Sequence, residues 1–152
     1  NPGCGVGGHC ISVDPWFIVD SANGKAKMIE QARRTNDYKA DWVVEKIKEQ
    51  ALIFEKECGR RAAISCMGLA FKPDIDDLRE SPALYIAQEL NKVLDIVAVE
   101  PNIQEHKKLK LVNLEDGVMS DICVYLVFHS EFINIDLNKW DLDFCGISEA
   151  CL

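Results

Sequence analysis

Little in this chain favours a membrane or a nucleic acid. No apolar run approaches the roughly 18 residues that span a bilayer. Positive charge is in short supply: 17 Lys and Arg stand against 25 Asp and Glu, a formal net charge of −8. DNA and RNA binding depends on Lys and Arg neutralising phosphates, so neither is an expected partner. An acidic protein still holds a small phosphorylated ligand where a few cations converge. The seven cysteines contain no C-x-x-C pair and no regular spacing. An odd count without a framework fits a reducing cytoplasm better than a secreted disulfide scaffold. Cys58, Cys66 and Cys123 lie in apolar stretches and read as small core residues. Zinc is not expected, since only Cys4, His9 and Cys10 cluster and adjacent His9-Cys10 is an unusual ligand spacing. There is no starting Met and no signal-like segment, and the chain opens inside what reads as a functional loop. The expectation is a part of a longer protein.

What is present is a glycine-dense opening, Gly3-Cys4-Gly5-Val6-Gly7-Gly8-His9-Cys10, with Asp14 four residues beyond the last cysteine. Four glycines in six positions allow a backbone with positive φ that approaches a ligand closely. A helical turn starting near Cys10 would put Asp14 on the same face as the thiol. A nucleophile beside a carboxylate on a tight loop is an arrangement suited to covalent catalysis. The plainer alternative, a glycine turn leading a buried Cys into a helix, stands beside it. Gly3, Gly5 and Gly8 also satisfy G-x-G-x-x-G, but a dinucleotide fingerprint needs a strand feeding into it, and only Asn1 and Pro2 precede.

Farther on, Lys25 to Cys58 has helical periodicity. Met28, Ile29 and Ala32 form one apolar face, and Val43, Ile47, Ala51, Phe54 and Cys58 recur at three- and four-residue steps. Gly59 is placed as a C-terminal cap. One long helix and two helices broken near Asn36-Asp37, the second capped by Asp41, are both compatible with the pattern. Residues 62–70 form a short apolar run of strand length. Ser81 to Leu90 reads as a helix capped by Ser81 with Pro82 at its first position. Residues 95–100 and 122–127 read as further strands, and 142–144 as a fourth. Apolar strands alternating with helices predict an α/β fold: a helical connector over 1–59, then a Rossmann-like parallel sheet over 60–152. Such sheets bind ligands at the C-terminal ends of their strands. That rule directs attention to Phe71-Lys72-Pro73-Asp74-Ile75-Asp76-Asp77-Leu78-Arg79-Glu80-Ser81, where Lys72 and Arg79 meet phosphate or else pair with the neighbouring Asp residues.

Two runs give the chain a resemblance. Gly5-Val6-Gly7-Gly8-His9-Cys10 with Asp14, and Gly68-Leu69-Ala70-Phe71-Lys72-Pro73-Asp74 with Asp77-Leu78-Arg79-Glu80-Ser81, match motifs of the nucleotide-sugar 6-dehydrogenases, the family of UDP-glucose dehydrogenase. His129-Ser130-Glu131-Phe132 extends the likeness more weakly. Val13 stands where the UDP-glucose members usually have Lys, and Gly7 to Phe17 is most similar to members acting on UDP-N-acetylmannosamine, with UDP-N-acetylglucosamine members close behind. The resemblance implies oxidation of a sugar C6 alcohol to a carboxylate in two hydride transfers to NAD. In it Cys10 is the thiol nucleophile and Asp14 the acid/base group. Gly7, Gly8, Phe71 and Lys72 hold the UDP-sugar, and Arg79 reaches toward the cofactor. It also implies a cytoplasmic homodimer built on the 1–59 helices, and a separate N-terminal NAD-binding domain that this sequence does not contain. Cys4 departs from the family pattern, and a thiol there raises the idea of an inactivating disulfide with Cys10.

Overall fold

A computed structural model describes residues 3–148. After the glycine-rich loop come helix α1 (Asp14–Ser21) and the long helix α2 (Lys27–Cys58). Strand β1 (Ile64–Met67), helix α3 (Pro82–Leu90), strand β2 (Ile96–Val99), helix α4 (Leu114–Gly117), strand β3 (Ile122–Tyr125), a 3-10 turn at Ser130–Phe132 and strand β4 (Leu142–Asp143) follow. The four strands are all parallel and lie in the order β2-β1-β3-β4. The chain leaves β1 for β2 on one side and returns to place β3 on the other, which makes the gap between β1 and β3 the topological switch point.

The expected α/β architecture is present, and its strands are apolar because both faces are covered. Ile64, Cys66, Ile96, Ala98, Ile122 and Val124 point to one core, where Val43, Val44, Ile47, Ala51 and Phe54 of α2 meet Ala83, Ile86, Ala87 and Leu90 of α3. Met67, Val99, Cys123 and Tyr125 point to the opposite core with Phe132, Cys145 and Ile147. The alternation along each strand is the ordinary period of two. Two helix ends have a clear local cause. Gly59 takes φ 71° and its N–H donates to the Glu55 carbonyl, closing α2. Ser81 caps α3 by accepting from the Leu84 N–H, with Pro82 just inside.

One open alternative is decided and two expectations need correction. The 27–58 region is a single helix, so Asp41 is no cap; it accepts a hydrogen bond from the Tyr85 hydroxyl at 2.7 Å. The helix runs through Asn36 because that side chain is engaged elsewhere, accepting from Val6 N at 2.7 Å and donating to Val6 O at 3.2 Å. Cys58 is exposed rather than core, and it is the last residue of α2. The Met28, Ile29 and Ala32 face is largely open, with Met28 86% exposed. No helix among the described residues is long and apolar enough to cross a membrane.

Candidate functional site

The two motif loops pack against each other. Gly8 N donates to the Arg79 carbonyl at 3.3 Å. A Cβ at Gly7 would stand 2.3 Å from the Glu80 carbonyl oxygen and 2.7 Å from Pro82 Cδ. One at Gly8, whose φ is +94°, would stand 2.9 Å from the Phe71 ring. Only glycine permits this approach, so the run expected to fold round a ligand first folds round Phe71. Asn36 holds the loop from the α2 side, and the Ser12 hydroxyl donates to the Gly8 carbonyl.

Cys10 ends the loop exposed, as a free thiol. Its carbonyl accepts from Val13 N at 3.0 Å and Asp14 N at 2.8 Å, so a turn does begin at Cys10, while α1 itself starts only at Asp14. Asp14 is also exposed. Neither side chain lines either of the two cavities that flank the glycine loop. Cys4, by contrast, is buried: its thiol contacts the Leu126 carbonyl at 3.5 Å, and burial pushes its pKa up to about 12. With one thiol sunk in the core and the other exposed, both are free, and the disulfide raised from sequence is not formed.

Arg79 lies on the same loop but is clamped by its neighbour. Its Nε sits 3.0 Å from Asp77 Oδ1 and its Nη2 2.6 Å from Asp77 Oδ2. Those hydrogen bonds hold the Asp77 carboxyl down to about 2. The Arg79 pKa is raised by the same contact and by the charge of Asp77. Lys72 is exposed and makes no ion pair among the described residues; its Nζ lies 5.8 Å from the Phe71 ring centroid.

Two cavities flank the glycine loop. The larger, about 550 Å³, lies between α1, α2 and α3 and is lined by Arg33, Asn36, Asp37, Asp41 and Tyr85. Arg33 is buried there with its Nε unpaired, while its Nη2 meets Asp37 at 3.2 Å. The smaller, about 330 Å³, is lined by Ala70, Phe71 and Pro73 after β1 and by Leu126, Val127 and Phe128 after β3. It is therefore the switch-point crevice, and size is the weaker criterion, because open parallel sheets place ligands at that crevice.

A buried polar group that the sequence reading missed underlies this crevice. Glu100, at the end of β2, accepts from Leu69 N at 2.7 Å and Ala70 N at 3.0 Å through Oε2 and from Asn102 N at 3.2 Å through Oε1. His129 Nε2 lies 3.2 Å from Glu100 Oε2, and both side chains are fully buried. Burial pushes the Glu100 pKa up, but the hydrogen bonds from His129 and the backbone outweigh it and the net shift is downward. The only hint in the sequence was a carboxylate ending one predicted strand and an imidazole two residues beyond another. Asp74, His129 and Glu131 place ligand atoms within 4.8 Å of one another, but His129 Nδ1 already accepts from Asp74 N at 3.0 Å, so the lone pair a metal would use is occupied.

Fold and crevice together define a Rossmann-like α/β unit opening at its switch point. Comparison with known proteins gives the family. Residues 65–143 match the UDP binding domain of the UDP-glucose/GDP-mannose dehydrogenase family, and residues 1–38 match its central domain. The chain belongs to that family. It is 48% identical over 148 residues to a UDP-N-acetyl-D-mannosamine dehydrogenase of Campylobacter jejuni, covering 91% of this chain and 35% of that protein. It is 42% identical over 145 residues to an NDP-N-acetyl-D-galactosaminuronic acid dehydrogenase of Ralstonia nicotianae, covering 91% and 33%. The solved structure of a UDP-D-ManNAc dehydrogenase from Pyrococcus horikoshii superposes with TM-score 0.79 at 28% identity, over 97% of this chain and 36% of that one. The chain thus spans about a third of the length of the curated relatives it matches.

Proposed function

We propose that this chain is the thiol-bearing and UDP-binding part of an NAD-dependent UDP-N-acetylmannosamine 6-dehydrogenase. Residues 1–59 are the catalytic-loop and dimer-helix portion, and residues 60–152 the UDP-binding portion. The observation that carries the reading is the docking of the Gly7-Gly8 backbone on Phe71 and Glu80, which joins the two family motifs into one site. Phe71 and Lys72 hold the UDP moiety at the crevice after β1. The Cys10 sulfur adds to the C6 carbon of an aldehyde. The carbonyl π pair moves to oxygen, which takes a proton from a water held by Asp14 as that water takes the proton the Cys10 thiol gives up. At the thioester stage water attacks the same carbon, Asp14 takes its proton and the sulfur leaves.

NAD would accept the two hydrides. Among the described residues no strand–glycine loop–helix unit cradles a dinucleotide, and Gly7 and Gly8 pack instead on Glu80, Pro82 and Phe71. Arg79 alone is assigned toward the cofactor, and its pairing with Asp77 holds it in place for that role. The exposed apolar residues of α1 and the first half of α2, among them Phe17, Ile18 and Met28, support a homodimer through those helices. A cytoplasmic setting accords with free thiols. A second reading, a different N-acetylhexosamine epimer, is favoured by the Ralstonia relative.

Calorimetric titration tests the assignment. The chain is expected to bind UDP and not NAD. Lys72→Ala should weaken UDP by about 1.5–3 kcal/mol, roughly tenfold to hundredfold, as for loss of a charge-assisted hydrogen bond. Tight NAD binding, or UDP binding indifferent to Lys72, overturns it.

A further inference from the structure

The loop that carries Phe71 and Lys72 is pinned on both sides of those residues by one buried pair. Before them, Leu69 N and Ala70 N donate to Glu100 Oε2 at 2.7 and 3.0 Å. After them, Asp74 N donates to His129 Nδ1 at 3.0 Å. Because Nδ1 accepts there, the ring proton is on Nε2, which donates to the same Glu100 oxygen at 3.2 Å. Asp74 takes φ 57°, a strained conformation for a residue with a side chain, and its Oδ1 accepts from Ser130 N at 2.8 Å and Ser130 Oγ at 3.1 Å. The His129 ring is held edge-on to Phe132, with centroids 5.3 Å apart. Glu100 ends β2, the loop leaves β1, and His129 follows β3, so the pair ties three strand ends together beneath the crevice.

We propose that Glu100 and His129 are positioning residues for nucleotide binding: together they fix residues 69–74 so that Phe71 and Lys72 stand at the crevice before a diphosphate arrives. The proposal rests on the UDP reading of that crevice. A buried carboxylate and imidazole with no access to solvent contribute nothing as acid or base to a ligand. What they do is hold main-chain N–H groups, and a loop held in its bound geometry loses less conformational freedom on binding. The Glu100 carboxylate tolerates burial because backbone donors and the His129 N–H surround it.

The test is a double-mutant cycle on the chain with UDP as the probe, accompanied by amide hydrogen exchange. His129→Ala should raise the UDP Kd about tenfold while the chain stays folded by circular dichroism. In that background the further loss from Lys72→Ala should shrink to about threefold or less, because a lysine on an unpinned loop no longer points reliably at phosphate. His129→Asn, whose Oδ1 can still accept from Asp74 N, should recover part of the affinity. Leu69, Ala70 and Asp74 amides should exchange faster in His129→Ala, with β1 amides unchanged. If His129→Ala does not fold, Glu100→Gln, which keeps an acceptor for Leu69 N, carries the same cycle. Folded variants that bind UDP like the wild type, or a Lys72→Ala penalty that is the same in both backgrounds, overturn the proposal. Unaltered exchange of the 69–74 amides overturns it too. Failure of the UDP reading looks different: the wild-type chain does not bind UDP, or Lys72→Ala is silent in it, while the exchange change persists.

Discussion

Ser81 makes two bonds with one hydroxyl, and Ser81→Ala removes both. The Oγ accepts from Leu84 N at 3.3 Å, capping α3, and donates to the Leu69 carbonyl at 2.6 Å. Loss of a serine N-cap costs about 1 kcal/mol. Leu69 is fully buried, so its carbonyl would be left unsatisfied at a cost of about 1–3 kcal/mol. The two losses act on one site and do not add freely, so the expectation lies below their sum, at about 1.5–3 kcal/mol. Equilibrium urea unfolding reads it as a lowered midpoint with an unchanged slope. Ser81→Thr keeps a hydroxyl in place and should lose less than Ser81→Ala. A loss below about 0.5 kcal/mol for Ser81→Ala, the range of a neutral surface change, would refute the claim that this hydroxyl joins α3 to the end of β1.

Gly7→Ala should destabilise by about 1–3 kcal/mol, as overpacking does, because the new Cβ meets the Glu80 carbonyl and the Pro82 ring rather than a flexible side chain. Hydrogen exchange of Gly8 should rise with it, whereas Gly3→Ala, with nothing within 4 Å, should be neutral in the same unfolding assay. The Asp143 carboxyl is held down to about 2 against its own burial, by hydrogen bonds from Ser148, Cys145 and Gly146. Its folded pKa lies below the unfolded one, so its contribution to stability is complete above about pH 4 and is lost as pH falls toward 2. Stability measured from pH 5 to pH 2 should therefore fall less steeply for Asp143→Asn than for the wild type, and equal slopes would count against that assignment.

The parallel sheet was legible because its strands are apolar on both faces, a pattern that only a covered sheet produces. The start of α3 was legible in Ser81-Pro82 and the end of α2 in Gly59, since capping is local. The two loops that build the site were visible as motifs. Their contact was not, because Gly8 and Arg79 meet only once the sheet has brought them together. Continuity of α2 through Asn36 depends on Val6, thirty positions away, which occupies a side chain that otherwise competes with the helix. Arg79 was legible as a choice between phosphate contact and pairing with a neighbouring Asp, and Asp77 two residues earlier holds it in a bidentate clamp. Glu100 was counted as the last residue of a strand. Its pairing with His129 bridges the ends of β2 and β3 across β1, which lies between them in the sheet, and no local pattern announces that.

The central claim is that the uridine nucleotide enters the crevice between β1 and β3. Amide chemical-shift mapping of the chain during a UDP titration tests this directly. The account predicts saturating shifts at Gly68 to Asp74 and at Leu126 to Ser130, the segments that line and underlie the smaller cavity. Shifts confined to Arg33, Asn36, Asp41 and Tyr85 would put the ligand in the larger cavity between the helices and contradict it.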